Sequence, residues 1–448
     1  MKNEIRKVLF AALHTYFDIG FYPLYRKLKE SNRNNSDILI ENQIRQLKVL
    51  LSYIYKYVPY YTMLFKENNI TPKDIETMED LKRVPLLNKD AIRENIHYFT
   101  PTNRQIKYLD YFCNATGGTT GTPLKYRLSR KARLLGGVLL YRGWGLAGYQ
   151  LGDRMVFLGG SSLAVNAKSN LLKRVHELLR NIKKLSAFDM SHKDMVKHAK
   201  TINAFKPKFI RGYPSAIYFF ARWLQDSSVR IHSPKAIFTT SEQLYPTMRD
   251  TIESVFKCKV YDGYGLNDGG LSAYECAEHC GMHIDTERSI LEVIDENGAP
   301  VQEGTGAIIA TDLYNYAFPF IRYQTGDIGT ITHAPCRCGL QTPRLTSIEG
   351  RSVDVLRTPE GKSVHGWFFL YLFWKYQKGI QQYQVIQESA EKIRVKIIPT
   401  KDFEDDILKD IGEVIHQKSR GWKVEFEFVK EIEKSKSGKY KFIISMAK

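Results

Sequence analysis

Between residues 155 and 265, short apolar runs alternate with longer amphipathic segments, and this alternation restricts the chain to a core whose strands deliver polar loops. MVFLG at 155–159, FIRGYP at 209–214, KAIFTTSE at 235–242 and CKVYDGYG at 258–265 read as strands. Residues 164–185 and 191–204 carry apolar positions at helical spacing and read as the helices between them. Strand, helix, strand order packs as an α/β core with function on the strand-end loops. After Glu349-Gly350-Arg351 the pattern changes to a strand, the helix GWFFLYLFWKY, paired strands at 381–387 and 392–398, a helix at 403–418 and a final strand VEFEFV. A chain of 448 residues also exceeds what one hydrophobic core usually holds. We therefore expect a large, multi-sheet N-terminal region over 1–350 and a smaller α+β domain over 351–448.

Upstream, Ile44 to Phe65 has helical periodicity broken by Pro59, which predicts a helix end there with Tyr60 and Tyr61 at a turn. Thr71 before Pro72 reads as an N-cap and first helical residue, and Asn88 as the cap of the next helix. No apolar run reaches membrane-spanning length, and the N-terminus is broken by charged residues, so a cytoplasmic chain is expected. The formal charge of +18 favours anionic ligands without naming one. The basic residues are dispersed rather than gathered in a recognisable motif, so no dedicated nucleic-acid binding is expected. The first 30 residues could form an apolar, aromatic and basic helix, read either as packing on the main domain or as peripheral contact with the inner face of a membrane.

The densest local signal is Asn114-Ala115-Thr116-Gly117-Gly118-Thr119-Thr120-Gly121-Thr122-Pro123. Glycines allow close backbone approach, and threonine hydroxyls beside backbone N–H groups suit phosphate oxygens. A plain Gly/Thr turn is the alternative. A Walker A loop is excluded, because Thr122-Pro123 follows Gly121 where that motif needs Lys and a hydroxyl residue. Nor is this loop a GxGxxG dinucleotide fingerprint.

Taken in order, TGGTTGTP, YGLND at 264–268, FPFIRYQTGDIG at 318–329, EGRSVD at 349–354 and SKSGKYK at 435–441 resemble the adenylate-forming enzyme superfamily. The resemblance is to its branch of phenylacetate-coenzyme A ligases, coenzyme F390 synthetases and CapK-like capsular polysaccharide biosynthesis proteins. With VPYY, TPKDI and LKRVPLLNKDAIREN it covers nearly the whole chain. It implies ATP with Mg²⁺, a carboxylic-acid substrate, an acyl-adenylate and a small domain that moves.

On that resemblance, Thr116, Gly117, Gly118, Thr119, Thr120 and Gly121 would position pyrophosphate. Lys439, in Ser437-Gly438-Lys439, would be the catalytic cation shared by carboxylate and α-phosphate; a solvated basic tail is its bland reading. Asp327 would accept from both ribose hydroxyls, with Arg351 as companion, unless it only caps its own turn. Tyr264 would offer a flat face to adenine, and Gly265 close backbone approach. Asp268 would assist Mg²⁺ where the branch usually has Glu. Glu242 would line the nucleotide or acyl pocket, or serve as a helix cap. Val353 and Asp354 would form the hinge; Val353 stands where the branch commonly has Asp.

Cys276-x-x-x-Cys280 and Cys336-x-Cys338 form two short pairs suited to a structural Zn²⁺. Disulfides or unrelated reduced thiols are the alternatives, and His279 or His283 could replace one thiolate. Cys113 and Cys258 read as buried thiols. Tyr141-Arg142-Gly143-Trp144-Gly145 and Arg211-Gly212-Tyr213-Pro214 read as pocket lining or as core. Coenzyme A is the acceptor the branch implies first. A non-CoA acceptor in capsule or lipopolysaccharide assembly, or a noncatalytic nucleotide-dependent interaction protein, are the alternatives. Acyl substrate and oligomeric state are not readable.

Overall fold

The computed structural model describes residues 8, 10, 20–31, 35–102, 110–115, 124–160, 177, 180–187, 190–351, 355–376, 378–433 and 440–446; the side chains at 349–351, 355, 363, 365–367, 370, 371 and 374 lie outside that description. Five parallel strands form the central sheet, in the order Ile182–Ser186, Met155–Gly159, Phe209–Gly212, Ala236–Thr239, Lys259–Tyr261. Their side chains are almost wholly buried along Met155–Gly159 and Ala236–Thr239, as a sheet covered on both faces requires. Numbered along the chain, these strands run 2-1-3-4-5, so the order reverses between Met155–Gly159 and Phe209–Gly212. In open sheets of this kind, ligands collect beyond the strand ends at that reversal.

A second sheet has seven antiparallel strands, from Ser289–Ile294 through Gly304–Asp312, Tyr323–Thr332, Arg344–Arg351, Met282–Ile284 and Ser272–Glu275 to Gly263–Gly265. Helices from Ser36 to Phe99 pack on it through Leu47, Leu51, Ile54, Tyr61, Phe65 and Phe99. The chain stops one helix at Tyr57 and begins another at Pro59, so Tyr60 and Tyr61 sit in a helical first turn rather than at a turn. Proline lacks only an N–H that the first turn leaves unpaired anyway. Thr71 and Asn88 cap as expected.

The segment expected to be helical to residue 185 instead holds the strand Ile182–Ser186. The smaller C-terminal lobe has a four-stranded sheet, Lys423–Phe428, Lys392–Pro399, Ile380–Gln387 and Ile443–Ser445, with the helices Gly366–Lys375 and Asp406–Lys418. Lys423–Phe428 is not the last strand: Ile443–Ser445 follows it and runs parallel to Ile380–Gln387.

Phe21, Tyr25 and Leu28 are buried, with Phe21 edge-on to Tyr141, so the Phe21–Ser31 helix packs on the Arg130–Gly145 helix. Among the described residues, no helix is long and apolar enough to cross a membrane.

Candidate active site

Tyr264 lies on the last strand of the seven-stranded sheet and Asp327 on the third, four interstrand steps away. In a flat sheet that would be about 19 Å. The Tyr264 hydroxyl nevertheless donates to Asp327 Oδ2 at 2.8 Å, so the sheet curls and brings the two strands together. Burial, then the Asp327 charge, push the Tyr264 phenol well above its ordinary pKa and keep it a proton donor. Both side chains keep partial contact with solvent. Asp327 pairs in register with Arg351 on the neighbouring strand, so the two backbones adjoin; the Arg351 side chain lies outside the described residues.

Asp268 accepts from the Tyr323 hydroxyl at 3.1 Å. The Tyr126 phenol, raised by burial and then by the nearby Asp268 charge, takes a bond from Asn114 at 3.2 Å. Tyr126 and Asn114 are cross-strand partners in the hairpin Tyr111–Ala115 with Lys125–Ser129. Its last pair, Ala115 with Lys125, holds the two ends of the Gly/Thr segment together. Residues 116–123, with Thr116, Gly117, Gly118, Thr119, Thr120 and Gly121, lie outside the described residues, as do Val353, Asp354 and Lys439.

Glu242 follows the Ala236–Thr239 strand, and its carboxylate joins two parts of the molecule. It accepts from the Ser215 N–H in the first turn of the Pro214–Ser227 helix at 3.1 Å, and from the Tyr440 N–H of the C-terminal lobe at 3.1 Å. An anion at a helix N-terminus is favoured by the exposed N–H groups and the dipole. Tyr440 and Phe442 pack on Phe219 of the same helix, with ring centroids 5.1 and 6.0 Å away. The two lobes thus meet beside the residue that follows Lys439.

Asp262, two residues before Tyr264, was not among the sequence candidates. Its carboxylate accepts from Thr239 at 2.6 Å, and burial raises its pKa to about 6. An acid at a strand end just ahead of the aromatic-Gly segment was the available signal. The Asp262 N–H donates to Glu275 at 2.9 Å, and Arg249 donates to the same carboxylate at 2.7 Å.

Next to Glu275 begins the thiol cluster. Cys276, Cys336, Cys338 and His283 bring their ligand atoms within 4.8 Å of one another. Cys276 and Cys336 sulfurs are 3.7 Å apart, and Cys338 Sγ is 3.2 Å from His283 Nε2. A tetrahedron with zinc–thiolate arms has edges of about 3.8 Å, so the spacing fits. Thr342 meets the other ring nitrogen at 3.1 Å, which orients Nε2 toward the thiols. Burial and Arg344 hold the His283 ring down to about 4, leaving it neutral as a ligand must be. Cys280 Sγ lies 3.5 Å from Cys336 and takes a bond from Arg344 at 2.8 Å. The four ligand atoms that lie within 4.8 Å of one another thus include His283, one of the expected substitutes, while Cys280 lies beside them. All six cysteines are free thiols, and Cys113 is exposed rather than buried because it lies on a two-stranded hairpin. Cys258 is partly buried, its thiol raised to about 12 by burial.

The model of the CapK C-terminal domain family matches residues 356–446. Protein CapK of Staphylococcus aureus is 25% identical over 438 residues, covering 96% of this chain and 93% of its own. A phenylacetate-coenzyme A ligase of Thermus thermophilus is 26% identical over 330 residues, 70% of each chain. Among solved structures, 2-hydroxyisobutyryl-CoA ligase in its postadenylation state with R3-HIB-AMP aligns at TM-score 0.73 and 18% identity, covering 93% of this chain and 91% of that one. In the thioesterification state of the same ligase the TM-score is 0.62, so the two lobes here are arranged more as in the former.

Proposed function

We propose that this chain, an adenylate-forming enzyme related to phenylacetate-coenzyme A ligases and CapK, activates a carboxylic acid with ATP and then passes the acyl group to an acceptor. A carboxylate oxygen attacks the α-phosphorus, the bond to the bridging oxygen breaks, and pyrophosphate leaves with the electron pair. The observation that carries the reading is the Glu242 carboxylate, bonded at once to Ser215 and to Tyr440. It ties the chain beside Lys439 to a strand-end loop of the large lobe while Tyr264 and Asp327 are held together.

In this reading Asp327, with Arg351, takes the ribose hydroxyls, and Tyr264 and Gly265 border the base. The 116–121 loop takes the leaving phosphates, Asp268 is the carboxylate for Mg²⁺, and Val353 and Asp354 lie at the hinge. Lys439 neutralises the oxygens shared by carboxylate and α-phosphate. Lys439→Ala should abolish carboxylate-dependent exchange of labelled pyrophosphate into ATP by about 10²-fold or more while ATP still binds. Unchanged exchange in that variant would sink the assignment.

Coenzyme A is the first acceptor to test: its thiol would attack the acyl carbon, release AMP and lose its proton to solvent. One observation favours a second reading. The C-terminal lobe matches the CapK family model, and CapK is covered over 93% of its length against 70% for the ligase. An acceptor other than coenzyme A, in capsule or lipopolysaccharide assembly, fits that. Product masses with and without coenzyme A decide between them. For the thiol cluster we propose one structural Zn²⁺ on Cys276, His283, Cys336 and Cys338, which leaves no open position for chemistry.

A further inference from the structure

At the reversal of the parallel sheet, Phe157, Arg211 and Phe238 stand side by side on adjacent strands and therefore share one face. Trp144, from the Arg130–Gly145 helix, covers that face. It stacks on Phe238 with ring centroids 5.6 Å apart and meets Phe157 edge-on at 6.4 Å. The Arg211 guanidinium lies over Trp144 at 4.9 Å and over Phe157 at 5.5 Å. Among the described residues it makes no hydrogen bond and no ion pair.

The Arg211 side chain is only partly buried, so its guanidinium stays open to a ligand on the edge that the two rings do not cover. Burial lowers the Arg211 pKa to about 10, which still leaves it charged at neutral pH. A second cation, Arg180, lies close by over the Tyr141 ring at 5.8 Å. The nearby carboxylates are already engaged: Asp285 binds Arg142 at 2.6 Å and Ser272 at 2.5 Å, and Glu287 also grips Arg142.

This aromatic face adjoins the Tyr264 segment. Arg211 pairs in register with Phe238, one residue before Thr239, and Thr239 bonds Asp262 ahead of Tyr264. Tyr274, whose hydroxyl senses Arg211, has its ring wedged against Gly143 and Gly263: a Cβ on these would stand 2.3 and 3.1 Å from it. Glycine at both positions lets the ring fill the gap between the covering helix and the Tyr264 segment.

We infer that Arg211 receives a second carboxylate on the acid that the enzyme activates, so that the substrate class is a dicarboxylic acid rather than an aryl or alkyl monoacid. A planar guanidinium backed by aromatic rings presents a two-pronged donor edge matched to a carboxylate. This rests on the adenylation reading above and narrows its substrate.

The test is pyrophosphate exchange by the purified full chain with matched acids: butyrate against succinate, valerate against glutarate, benzoate against isophthalate. The diacid of at least one pair should exceed its partner by about 100-fold in kcat/KM. Arg211→Met keeps the stem on Trp144 and should bring that ratio to roughly unity, while Arg211→Lys keeps part of it. Arg211→Met should also melt no lower than the parent, since it keeps the contact with Trp144 and breaks no hydrogen bond or ion pair among the described residues; a structural arginine would melt lower. Exchange with monoacids alone, or a ratio unmoved in both variants, overturns the inference and leaves adenylation standing. No exchange with any acid overturns both.

Discussion

The bond from Tyr264 to Asp327 is the smallest unit of the proposed nucleotide cleft. A hydrogen bond to a charged acceptor is worth about 1.5–3 kcal/mol, so Tyr264→Phe should raise the KM for ATP by about 10-fold or more with little change in kcat. A KM that stays put would show that the hydroxyl does not orient the carboxylate for ATP. Asp262 gives a pH signature. Its folded pKa of about 6 lies above the ordinary 3.8, so between these values the folded chain holds a proton that the unfolded chain has released. Its contribution therefore falls as pH rises through that window, by about 1–2 kcal/mol given its partial contact with water. Thermal midpoints from pH 4 to 7 should slope downward less in Asp262→Asn; equal slopes would exclude the effect. Tyr264, Asp327 and Glu242 were legible in the sequence because each sits in a short, ordered motif. The solitary state of Arg211 was not, since it depends on which acids the other arginines have already taken.

Elements were legible where their period was unambiguous. Met155–Gly159, Phe209–Gly212 and Ala236–Thr239 read correctly because mostly buried runs of four or five residues have no helical counterpart of that length. The run at 258–265, expected as one strand, is instead two, Lys259–Tyr261 and Gly263–Gly265, in different sheets. Ile182–Ser186 failed because its buried residues, Ile182 and Leu185, are three apart, which is also a helical spacing. Ile443–Ser445 is three residues long, too short to show any period. The thiol cluster joins the loop after Ser272–Glu275, the strand Met282–Ile284 and the loop after Tyr323–Thr332, and spacing alone does not reveal that His283 points among the sulfurs. If the cluster holds zinc, the purified chain carries one equivalent by elemental analysis. Cys338→Ser should then lose the metal and roughly 5–10 °C of thermal midpoint, and Cys280→Ser less. Because Glu275 adjoins Cys276 and holds the Asp262 backbone, metal loss should also raise the KM for ATP. Metal-free protein with parental stability would remove the clamp from the account.

At the scale of the whole molecule, two lobes meet through Glu242 and a patch of rings from Phe219, Tyr440 and Phe442. Glu242→Ala removes both acceptor oxygens and should slow adenylation by about 10- to 100-fold, while transfer from a supplied acyl-adenylate changes little. Equal losses in both steps would mean that the carboxylate serves folding alone. Beyond Tyr440 the chain turns into Ile443–Ser445 and pairs with Val385, Ile386 and Gln387. The segment before Tyr440 is therefore pinned at its far end by the small lobe's own sheet, whatever the lobes do. A protease that cut ahead of Ile443, or an affinity tag that displaced this strand, would leave a protein that still captures ATP yet stalls with it unspent.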